Sequence, residues 1–70
     1  MEETYDGILE DWDYINGRLY GTIYYDSKGR FNDGDLISTS VVLSNEDYIY
    51  PGGFVNTKNS TYRLGVQFVN

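Results

Sequence analysis

Side chains able to hold a ligand are densest between Gly29 and Ser40, where the chain reads GRFNDGDLISTS. The guanidinium of Arg30 can pair bidentately with a phosphate, and the ring of Phe31 beside it offers a face on which a base can stack. An acidic glycine turn then leads into three consecutive hydroxyls, Ser38, Thr39 and Ser40. On a strand Ser38 and Ser40 share one face and Thr39 takes the other, so a ligand on the open face would meet two small donors side by side. The same letters also spell a solvent-facing polar strand, preceded by a turn whose aromatic caps the core. Sequence alone leaves both readings standing.

Other chemistries fall away. Cysteine and histidine are absent, which removes disulfides, thiolate nucleophiles, the usual zinc sites and Ser-His-Asp catalysis. Glu10, Asp11 and Asp13 could form a carboxylate pair or a hard-metal site. Strand alternation, however, sets Asp11 and Asp13 on one face and Glu10 on the other, with no nearby base to complete a mechanism. A solvated strand face is expected there. NDGD lacks the alternating oxygen ligands and closing glutamate of an EF-hand, and Lys28 and Arg30 stand where such a loop needs oxygens. Gly29 and GDLISTS do not make a phosphate loop, because there is no GK[ST] and no following helix. No metal and no cofactor are expected.

Seventy residues make one small domain, 1–70, with a marginal core that oligomerisation often reinforces. The formal net charge of −6 is local. Glu2, Glu3, Asp6, Glu10, Asp11 and Asp13 all precede the first base, Arg18, whereas from Tyr14 onward five acids balance five bases. This acidic segment, 1–13, frays over its first five residues. It either keeps strand edges apart by repulsion or docks on a basic partner. Nothing forms a basic stripe for duplex nucleic acid. No apolar run reaches the roughly 18 residues of a membrane span, and no basic-then-apolar leader opens the chain. A soluble, cytoplasmic protein is expected.

The elements that must position these residues are strands. Eight tyrosines, three phenylalanines and one tryptophan, with no alanine, favour sheet over helix, and glycine-rich turns recur at short intervals. Asn16-Gly17 predicts a two-residue hairpin between a strand ending near Ile15 and one over 18–25. In the second strand Leu19, Gly21, Ile23 and Tyr25 share a face, opposite Arg18, Tyr20, Thr22 and Tyr24. DSKGRFNDGD is a long connection to a strand over 36–43, with Ile37, Thr39, Val41 and Leu43 on one side. SNED and PGG bracket a short YIY. FVNT and TYRLGVQFV form a last hairpin about Lys58-Asn59-Ser60, with Tyr62, Leu64, Val66 and Phe68 on one face. Gly65 marks a bend where another backbone approaches. The expected fold is all-β: a small antiparallel barrel of five or six strands, or a strongly bent sheet of hairpins. One small core cannot enclose so many aromatic rings. Trp12, Tyr14, Tyr20, Tyr24, Tyr48 and Tyr50 are therefore expected at a groove or subunit interface, with a homo-oligomer as the expected state.

The stretch GRLYGTIYYDSKGRFNDGDLISTSVV, followed by TKNSTYRLG, resembles small uncharacterised accessory proteins encoded by tailed phages and prophages, through the pattern GRFxDGxxIxTSxV … NSxYxLG. The likeness runs roughly from Gly17 to Gly65 and leaves the acidic segment outside. It implies a phage accessory protein working in the host cytoplasm, a class whose members often inhibit host processes or immunity. Two non-enzymatic modes are open, beside a plainer structural or regulatory role. In the first, a small oligomeric β protein sequesters a cyclic or other immune-signalling nucleotide in pockets between subunits, through Arg30, Phe31, Ser38, Thr39, Ser40, Asn59, Ser60 and Tyr62. It ranks first because the matched pattern holds polar ligand-type residues and excludes the acidic segment. In the alternative, an acidic inhibitor occupies a host defence or nucleic-acid-binding enzyme through its N-terminal segment and aromatic surface. An enzyme is not expected: no acid–base pair is offered, and so small a domain has little room to exclude water.

Overall fold

A computed structural model of the chain describes residues 5–69. Glu2 and Glu3, and most of the stretch expected to fray, lie outside the described residues. Five strands form one sheet: β1 (Gly7–Ile15), β2 (Arg18–Tyr24), β3 (Asp35–Val41), β4 (Phe54–Asn56) and β5 (Thr61–Leu64). Their order is β3-β2-β1-β5-β4. Among the described residues one 3₁₀ turn, Glu46–Tyr48, stands where YIY was expected to begin an extended segment. Among the described residues no helix is long and apolar enough to cross a membrane.

The Asn16-Gly17 hairpin is present. Asn16 and Gly17 adopt φ of 51° and 80°, and Ile15 pairs with Arg18 across them, the geometry a two-residue turn of this hand requires. β1–β2, β2–β3 and β4–β5 are antiparallel, but β1 and β5 run parallel through Gly7↔Tyr62, Ile8↔Arg63 and Leu9↔Leu64. The sheet is therefore mixed, a correction to the wholly antiparallel expectation. The reason is parity. Each turn reverses the chain, so the fifth strand runs in the direction of the first, and placing those two side by side makes a parallel pair. The edges β3 and β4 touch at one end only, through a Val42↔Thr57 bridge and the Leu43 N–H to Asn56 carbonyl bond of 2.8 Å. The sheet bends without closing into a barrel.

The inner face carries the core: Leu9 and Trp12 from β1, Leu19 and Ile23 from β2, Ile37 from β3, Val55 from β4, and Tyr62 and Leu64 from β5. Two irregularities keep that face apolar. Between Glu10 and Asp13 the β1–β2 register shifts, and Asp11 takes φ 50°. The extra residue changes the alternation, so Leu9 and Trp12 both point inward three positions apart. It also reverses an expectation. Glu10 and Asp13, opposite Thr22 and Tyr20, share the outer face, and Asp11 is the odd residue out.

A second shift, between Arg18 and Tyr20 against β3, acts likewise beyond Thr39. Val42 packs on the core while Val41 and Leu43 are exposed, against the expected face. In β5 the alternation stops at Leu64. Val66 and Phe68, expected inside with Tyr62 and Leu64, are exposed. Gly65 accounts for this: its N–H bonds the Leu9 carbonyl at 2.8 Å, and the Glu10 carboxylate occupies the space a side chain there would need. Tyr25, expected inside with Ile23, falls beyond β2 with φ 57° and is 70 % exposed.

Candidate functional site

The connection between β2 and β3 is organised by Asp26. Its carboxylate accepts the backbone N–H of Arg30 at 2.7 Å and of Phe31 at 3.1 Å. Arg30 closes on the same group, with Nη2 2.9 Å from Oδ1 and Nε 3.4 Å from Oδ2. Arg30 Nη1 donates to Ser60 Oγ at 2.7 Å, and Nη2 reaches the Tyr62 hydroxyl at 3.5 Å. The guanidinium also lies 5.2 Å from the centre of the Phe31 ring, within cation–π range. Four residues expected to share a site, Arg30, Phe31, Ser60 and Tyr62, are therefore brought together by the fold.

Electrostatics decide what the cluster can do. The Arg30 hydrogen bonds hold the Asp26 carboxyl down at about 2, against the opposing effect of burial, with the Arg30 and Phe31 N–H groups adding to the stabilisation of its charge. Arg30 is raised in turn by Asp26. The neighbouring cation is answered as well. Lys28 Nζ donates to the Asn59 carbonyl at 2.6 Å and to Ser60 Oγ at 3.3 Å, and stands 3.9 Å from Asp6 Oδ2. Two cations thus face two carboxylates, and Ser60 Oγ accepts from both cations. A phosphate arriving here would compete with carboxylates already in place rather than meet free positive charge.

The hydroxyls divide by role. Thr39 is buried, and its Oγ1 accepts the Leu19 N–H at 3.1 Å and donates to the Ser40 carbonyl at 2.8 Å. It supplies the partner that the β3 irregularity withholds from Leu19. Ser40 accepts from Asn59 Nδ2, tying β3 to the β4–β5 turn, and Ser38 is exposed. Ser60 and Tyr62 are buried. Arg30, Phe31, Ser60 and Tyr62 form one cluster, Ser40 and Asn59 a link beside it, and Ser38 and Thr39 stand on opposite faces of β3.

Of the aromatics expected at an interface, Trp12 belongs to the core instead. It is 1 % exposed, and Nε1 donates to the Gly65 carbonyl at 3.0 Å. The β1 irregularity turns it inward, and simple alternation could not reveal that. Tyr14 packs partly against the core and Tyr24 is half-buried. Tyr20, Tyr48 and Tyr50 are exposed.

Two contributors escaped the sequence reading. Asp26, four residues before Arg30, is the pattern of a side chain gathering a turn. Asp6 pins the start of β1 to β5 by accepting the Thr61 N–H at 2.8 Å, which no local pattern foretells. No group of three or more acidic side chains is placed to hold a metal among the described residues. No family model, curated protein or solved structure matches the chain.

Proposed function

We propose that this chain is a non-enzymatic binding module of the phage accessory kind, which acts by occupying a protein of the host's defences in the host cytoplasm. The observation that carries the reading is a contrast. The polar cluster around Arg30 is satisfied internally, while large apolar side chains stand out from a small, completed core: Leu36, Tyr48, Tyr50, Val66 and Phe68 are exposed. Such surfaces fit macromolecular partners, with tyrosine and phenylalanine the usual anchors. Tyr48 and Tyr50 precede the Pro51-Gly52 turn that meets the end of β5, and Val66 and Phe68 follow β5. There Gly52 N–H donates to the Leu64 carbonyl at 2.7 Å and Phe68 N–H to the Trp12 carbonyl at 2.9 Å.

A second reading, capture of a small nucleotide, is favoured by the arginine stacked on Phe31 beside Ser60 and Tyr62. Affinity isolation from host lysate followed by interface mapping separates the two. Partner binding lost in Tyr50→Ser/Phe68→Ser and kept in Arg30→Ala supports the protein reading. Calorimetric heat with a cyclic nucleotide, abolished by Arg30→Ala, would replace it with capture.

A further inference from the structure

We propose that the outer face of β1, β2 and β3 is where a second copy of this chain docks, about a two-fold axis close to Tyr20. The register sets out this face. Tyr20 is opposite Asp13 on β1 and Ser38 on β3, and Arg18 lies two positions before it on the same side of β2. Thr22 and Leu36 form the next row, and Leu36 is 81 % exposed.

Charge complementarity around Tyr20 fits this face to a second copy. With a net charge of −6, two copies repel wherever acid meets acid. Among the described residues the ion pairs Lys28–Asp6 and Arg30–Asp26 cancel internally. Asp33, Glu46, Asp47 and Lys58 lie in the connections, Asp35 pairs with the inward-facing Ile23 at the start of β3, Arg63 on β5 pairs with Ile8 of β1, and the exposed Asp11 is the extra residue of β1. On the outer face the balance differs: Arg18 and Asp13 flank Tyr20, and Glu10 turns aside to accept the Val66 N–H at 2.7 Å.

An interface between identical copies needs each contact to occur twice, residue i on j and j on i. An axis near Tyr20 meets that condition. It sets the two Tyr20 rings against each other and each Arg18 over Asp13 of the other copy. Arg18 is free to serve, since a single Nη1 bond to the Thr39 carbonyl at 3.1 Å holds it against β3. The inference is independent of the proposed partner binding, which uses the end of β5.

Sedimentation equilibrium on the full chain tests it by charge exchange. Wild type should form a dimer in a concentration-dependent way. Arg18→Asp and Asp13→Arg should each raise the dimer Kd by at least about tenfold, because each puts like charges together at both ends of the interface. The combined Asp13→Arg/Arg18→Asp chain should recover the wild-type Kd, which loss of folding could not mimic. Tyr20→Ser should weaken the dimer while leaving the far-UV spectrum unchanged. A wild-type monomer at all concentrations, a dimer that neither single change weakens, or a double variant no tighter than the singles would overturn the proposal.

Discussion

Arg30 Nη2 lies 2.9 Å from Asp26 Oδ1, with the Asp26 side chain only 1 % exposed. The loop joining β2 to β3 is thereby folded around its own carboxylate and fastened through Ser60 to the turn before β5. Removing the carboxylate should leave the guanidinium and the backbone N–H groups of Lys28, Arg30 and Phe31 without their acceptor. Asp26→Ala is expected to destabilise the protein by about 1–3 kcal/mol in urea unfolding, more than Arg30→Ala, whose loss leaves the backbone donors served.

Acid should act on the same group. The Asp26 pKa of about 2 lies below its ordinary 3.8, so the unfolded chain takes up the proton first. Its stabilisation is complete at neutral pH and is lost as pH falls through about 4 towards 2. The stability gap between wild type and Asp26→Asn, followed by urea titration across that window, should shrink with acid. A constant gap would mean that the charge is not what holds the loop.

The hydroxyl run separates structure from surface. Thr39→Val keeps the volume but leaves the buried Leu19 N–H unpaired, at an expected cost of about 1–3 kcal/mol. Ser38→Ala, on the exposed face, should fall within about 0.5 kcal/mol of wild type. Equal thermal shifts for the two would contradict the inward placement of Thr39.

Gly21 and Gly17 should both resist substitution, for different reasons. A Cβ on Gly21 would come 3.0 Å from the Glu10 carbonyl oxygen and 3.1 Å from Trp12 Cα, where β1 bulges towards β2. Gly21→Ala should therefore cost about 1–3 kcal/mol by crowding. Gly17 has open space around it but φ 80°, and Gly17→Val should cost upwards of about 1 kcal/mol through backbone strain alone. Gly17→Asn should recover much of that loss, and Gly21→Asn none. Melting curves of the four Gly17 and Gly21 variants would decide the point.

Trp12 provides a direct optical check. As the single tryptophan of the chain, it should emit at short wavelength when folded and shift to the red on unfolding. Trp12→Phe should destabilise by about 1–3 kcal/mol through lost packing and the bond to Gly65. Folded emission already at the wavelength of exposed indole would place Trp12 at a surface after all.

What the sequence conveyed was local chemistry. Asn16-Gly17 announced its turn because the two φ angles it needs are written in the residue types. The inward faces around Ile23 and Ile37 followed from alternation. The errors began where an extra residue enters a strand. Nothing in EDW or STS marks an irregularity, because what fixes each one is the strand across from it, Gly21 in one case and Leu19 in the other. The candidate site was legible as a set of neighbours and misleading in its charge. Arg30, Phe31, Ser60 and Tyr62 do meet, but the carboxylate that answers the arginine comes from Asp26, a residue that reads as an ordinary turn former.

The parallel pairing of β1 with β5 sets a schedule for the nascent chain. β1, β2 and β3 can zip together as soon as they leave the ribosome, since each pairs with its neighbour in sequence. The remaining edge of β1 must wait for Thr61–Leu64, made last among the strands. Throughout that interval the strand destined for the middle of the sheet has a bare edge, the condition under which growing polypeptides stick to one another. Glu10, Asp11 and Asp13 sit on that strand. Like charges on the open strands of two such chains repel, which opposes that pairing until β5 takes the edge.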